Sequence, residues 1–82
     1  MRKLDEAEIN ERIDAIQADM DKATAEARNT LHACRAGHPL GNGRDRTDLF
    51  RNAAFVLSGR VGSHHLIWLN QTANQFHEER AA

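Results

Sequence analysis

The residues that could do chemistry in this 82-residue chain are five histidines, a single cysteine and a group of arginines near mid-chain. His32, Cys34 and His38 fall close together and carry zinc-ligand atoms. Structural zinc takes four tetrahedral nitrogen or sulfur donors. On a helix His32 and Cys34 point to opposite sides, and no second Cys/His pair stands at a recognised spacing. Cys34 therefore reads as a small packing residue, and no metal or other cofactor is expected. His64 and His65 are adjacent, and adjacent helical positions diverge by about 100°. They cannot both face one seam, so one partly buried and one solvated imidazole are expected. A pH-sensitive interface is the alternative.

Arg35, His38, Arg44, Arg46 and Arg51 gather around a glycine-rich turn and the start of a helix. Guanidinium groups and a helix N-terminus together can hold a phosphate. Asp45 and Asp48 compete for the same positive helix end, and no Gly-x-x-x-x-Gly-Lys loop is present. A solvated basic tip is the default, with an anion contact as the functional reading. There is no nucleophile–base arrangement and no pair of carboxylates in an expected cleft. The chain does not read as an enzyme.

The elements that must position these groups come from the apolar pattern. Ile9, Ile13, Ile16, Met20, Ala23 and Ala27 repeat at alternating spacings of four and three, and so do Phe55, Gly59, Gly62, Leu66, Leu69 and Ala73. The two sets mirror each other about position 41: Ile9 with Ala73, Ile13 with Leu69, Ile16 with Leu66, Met20 with Gly62, Ala23 with Gly59, Ala27 with Phe55. That pattern predicts an all-α antiparallel helical hairpin zipped along a heptad seam. Asp5 as N-cap with Glu8 makes a capping box, Leu4 and Ile9 a hydrophobic staple, and Gly37 with Pro39 a stop. The first helix is expected over about 6–36. Asp45 can cap a second over about 46–79, with a kink or break near 59–63. The glycines there favour close approach to Ala23 and Met20 and hence continuity; a break, with Ser63 starting a new helix, gives three helices.

The second helix carries a further apolar stripe: Phe50, Ala54, Leu57, Val61, His64 and Trp68. One partner helix cannot cover it. Left in water it is a sticky patch, so the expectation is a homo-oligomer, most simply two hairpins in a four-helix bundle. The alternatives are a break that folds the last segment back over the stripe, and a docking site for a partner protein.

Composition sets the remaining bounds. Net charge is −1, which argues against a generic nucleic-acid binder. Acids outnumber bases eight to five in residues 1–30, and bases outnumber acids six to four in 31–82. A lone cysteine precludes an internal disulfide and suits a reducing compartment. No long apolar run is present and the charged start lacks the core of a signal peptide; a cytoplasmic protein with no membrane contact is expected.

Two resemblances follow. The stretch Arg2-Lys-Leu-Asp-Glu-Ala-Glu-Ile9 resembles the opening segment of the phage hairpin-domain sponges that sequester cyclic-nucleotide signals of bacterial immunity (anti-CBASS type). Arg46-Thr-Asp-Leu49 is similar to a Thr-Asp-Leu stretch that opens their second helix. The rest of the second helix is longer here and lacks their Gly and Arg spacing. The resemblance implies a phosphate-containing small-molecule ligand bound between subunits. The hairpin also resembles the plasmid RNA-binding protein Rop as a fold analogy, although the first helix is acidic where an RNA face is basic. The function expected from all of this is a small binding protein of phage or accessory type that self-associates and blocks or sequesters a partner.

Overall fold

A computed structural model of the chain describes residues 5–35 and 46–81, the last three as backbone only. Leu4, the Gly37–Gly43 loop, His38, Arg44 and Asp45 lie outside the described residues. Four helices follow one another: α1 (Glu6–Asp19), α2 (Ala25–His32), α3 (Arg46–Leu57) and α4 (Ser63–Ala81). Among the described residues there is no strand, and no helix is long and apolar enough to cross a membrane.

α1 starts where the sequence says it should. The Asp5 carboxylate accepts from the Ala7 backbone N–H at 2.9 Å, taking up one of the donors that a helix start leaves unpaired. Glu6 and Glu8 sit in that first turn, where the helix dipole favours negative charge. Ile9, Ile13 and Ile16 then bury one face.

The single helix over 6–36 does not form. α1 ends at Asp19, the chain corners through 20–24, and α2 starts afresh with Thr24 as its N-cap, the hydroxyl accepting from Ala27 N–H at 3.1 Å. The corner contains no glycine or proline. Its polar groups are met from elsewhere: Asp21 N–H donates to the Arg60 carbonyl at 2.7 Å, the Arg60 guanidinium to the Lys22 carbonyl at 2.6 Å, and the Arg28 guanidinium to the Ala23 carbonyl at 2.7 Å. Paired in this way, backbone groups released from the helix ladder carry no desolvation penalty.

The second helix breaks at Ser58–Gly62 into α3 and α4. Gly59 takes a φ of +81°, and Arg60 N–H returns to the Leu57 carbonyl at 2.8 Å. α4 then folds back along α3, and these two are the most extensively packed pair; α3 also packs on α2, and α2 on α1.

That break decides the fate of the surplus stripe. Phe50, Ala54 and Leu57 are buried within the chain itself, Val61 and Trp68 are half-buried, and His64 is exposed. The expectation of a stripe left for a second copy is therefore corrected, since α4 supplies the cover. Phe50 sits at the centre of an aromatic group, with ring centroids 6.0 Å from Trp68 and 5.4 Å from Phe76. Burial of a residue of this size is worth about 2 kcal/mol. Of the residues assigned to the mirrored seam, Ile9, Ile13, Ile16, Ala27, Leu69 and Ala73 join one buried core, with Met20 and Leu66 partly buried against it. At the level of the two corners the seam fails: Gly59 and Gly62 are exposed, and Phe55 is 81% exposed instead of facing Ala27.

Candidate functional site

Of the anion candidates, the described Arg35, Arg46 and Arg51 lie around the α2–α3 side of the molecule, and each holds a protein group. Arg35 pairs with Asp14, and Arg51 donates to the Asn74 side-chain oxygen at 3.3 Å. Arg46 is the most engaged. Its guanidinium donates to the Glu6 carboxylate at 3.0 and 3.3 Å and to the Cys34 carbonyl at 3.3 Å, and it lies 4.5 Å from the Phe76 ring centroid. A cation held over an aromatic face and paired with a carboxylate is spent on the fold. His38 and Arg44 are not among the described residues, so the basic tip is represented here by Arg35, Arg46 and Arg51 alone.

His32 and Cys34 do not form a site together. His32 is exposed at the end of α2, whereas Cys34 is fully buried. The Cys34 thiol faces the Thr30 and Leu49 carbonyls at 3.7 and 3.6 Å. Burial pushes its pKa up to about 12, against a smaller lowering by the Arg46 charge. A thiol held neutral in this way is neither a nucleophile nor a ready metal ligand at neutral pH.

A different cluster forms where the two corners meet. His65 is buried and its Nε2–H donates to Asp19 Oδ2 at 2.9 Å. Asp19 is the last residue of α1, and His65 lies in the first turn of α4. His64 is exposed, yet its ring lies 4.0 Å from that of His65 between centroids, tilted by 39°. One partly buried and one solvated imidazole were expected; His65 is buried and His64 exposed, and the two rings nonetheless stay close. They sit at the second and third positions of α4, where no preceding helical turn crowds the side chains. The His64 ring folds back over Gly62: a Cβ at that glycine would stand 2.7 Å from His64 Cε1 and 2.8 Å from Nδ1. Gly62 thus makes room for an imidazole, where the seam had assigned it to Met20.

One ligand atom each from Asp19, His64 and His65 falls within 4.8 Å of the others. Comparison with known proteins gives no matching family model, curated protein or solved structure. The reading of this corner therefore rests on its own geometry. Sequence reasoning set the histidine pair aside by applying the interior helix angle to a helix start. The signal it passed over was the glycine two residues before His64.

The molecule's surface offers two further features. A shallow hollow between α2 and α3 is lined by Asn29, Thr30, Ala33, Leu49 and Asn52. Phe55 on α3 and Ile67 on α4 are the large apolar side chains left exposed among the described residues, Ile67 at 56%.

Proposed function

We propose that this chain is a small non-enzymatic helical binding protein that self-associates and acts by covering or sequestering a partner. The observation that carries the reading is Phe55. The inward face of α3 is complete with Thr47, Phe50, Ala53, Ala54 and Leu57, so nothing in the fold needs a phenylalanine on the opposite face. A large aromatic side chain left almost wholly in water costs solubility and contributes no packing within the chain, whereas at an interface its area would supply binding energy. Ile67 occupies the corresponding outward position on α4, away from buried Leu69 and Ala73.

Light scattering at micromolar concentration tests the reading. The native chain should run as a dimer or larger, and the double variant Phe55→Glu, Ile67→Glu as a monomer of 9.2 kDa that keeps its helical content and unfolds cooperatively. A native chain that is monomeric and cooperatively folded at that concentration overturns self-association.

A further inference from the structure

The geometry points to a zinc-class divalent metal site at the junction of the two corners, formed by Asp19, His64 and His65. The donor set is two imidazoles and a carboxylate, borderline-soft nitrogen with oxygen, which suits Zn²⁺ or a neighbouring first-row ion better than Mg²⁺ or Ca²⁺. Three protein ligands leave a fourth position for water, the pattern of an open site.

The three ligand atoms lie within 4.8 Å of one another, so forming the site means adjusting them to one common spacing. Metal–ligand bonds of about 2.0–2.1 Å in a tetrahedron separate neighbouring ligand atoms by about 3.3 Å. The Asp19 Oδ2 to His65 Nε2 distance is 2.9 Å, so these two groups would part by a few tenths of an ångström to admit an ion. The exposed side chains of Asp19 and His64 are free to make that shift, while buried His65 is fixed by the core around it.

Buried His65 already presents Nε2 to the Asp19 carboxylate at 2.9 Å. An ion seated between them would take the place of the Nε2 proton, and Nδ1 would then carry the ring's one N–H. The charges of the two helix ends nearly offset each other here, the α1 C-terminus favouring a cation and the α4 N-terminus opposing it. The three ligating side chains therefore decide the outcome.

Such an ion would join the end of α1 to the start of α4, so its binding is measurable as stability as well as affinity. The test is a titration of the full chain with ZnCl₂ by calorimetry and thermal melting, with Co²⁺ as a spectroscopic probe. One ion per chain, a raised melting temperature and the visible absorption of four-coordinate Co²⁺ without a thiolate charge-transfer band are expected. His64→Ala and Asp19→Asn change exposed residues and should leave the apo fold intact while lowering Zn²⁺ affinity at least ten-fold. Cys34→Ala should leave affinity unchanged. No heat and no melting shift with excess Zn²⁺ overturns the proposal, and so does native-like affinity in both His64→Ala and Asp19→Asn.

Discussion

At Ser58–Gly62 the chain turns with a glycine in the left-handed region, Gly59 at φ +81°; at Met20–Thr24 it turns with a lysine there, Lys22 at φ +52°. Glycine enters that region freely, whereas a side chain meets the following carbonyl and pays about 1–2 kcal/mol. The glycine corner is consequently self-sufficient, its backbone bonds closing on Phe55 and Leu57 in the preceding helix. The lysine corner is held from outside. Arg60, which belongs to the glycine corner, both accepts from Asp21 and donates to Lys22. One turn is locally encoded and the other is templated upon it.

That asymmetry can be broken or sharpened by substitution. Gly59→Ala should have the largest effect, a loss of about 1–2 kcal/mol in urea unfolding. Nothing lies within 4 Å of the added Cβ, so the whole cost is backbone conformation. A loss of only a few tenths would mean that the corner does not depend on its glycine. Thr24→Ala removes the hydroxyl that restarts the chain as α2 and should cost about 1 kcal/mol. A neutral result would show that Arg60 and Arg28 alone hold the templated corner. The smallest effect is expected from Lys22→Gly. It relieves the left-handed strain but adds freedom to the unfolded chain, and should stabilise by about 0.5 kcal/mol. Destabilisation instead would mean that the Lys22 side chain contributes packing or charge that outweighs its strain.

The same contrast explains which parts of the fold were legible in the sequence. Asp5, the isoleucine row in α1 and the start near Arg46 follow from local rules, because each depends on neighbours within one or two turns. The break near Gly59 was open as an alternative for the same reason, although the seam favoured a continuous helix. The break at 20–24 was hidden because Met20, Ala23 and Ala27 keep heptad spacing across it while the groups that satisfy it sit near residue 60. Thr24, three residues before its partner Ala27, was the one local clue.

Legibility of the site divides in a similar way. Cys34 as a small buried residue followed from its surroundings in sequence. The roles of Arg46 and Phe55 did not, because both depend on how the helices come together. A guanidinium near a glycine-rich loop looks like an anion ligand until a carboxylate forty positions away is brought beside it. Phe55 continued a seam that exists only if both helices are unbroken.

Arg46 also bears on how this chain can be divided. It stands on α3, reaches Glu6 at the start of α1 and the Cys34 carbonyl just past α2, and lies over Phe76 near the end of α4. One planar cation thus joins α1, α3, α4 and the chain just past α2. A fragment cut in the loop between α2 and α3 would leave a carboxylate and a carbonyl on one piece and a half-buried charge on the other. Although the sequence looks like two mirrored halves, neither half is a module: shuffled into another protein or expressed by itself, each would lack the counterpart that makes its polar groups tolerable. Separating the halves would therefore break the Arg46 contacts to Glu6 and to the Cys34 carbonyl.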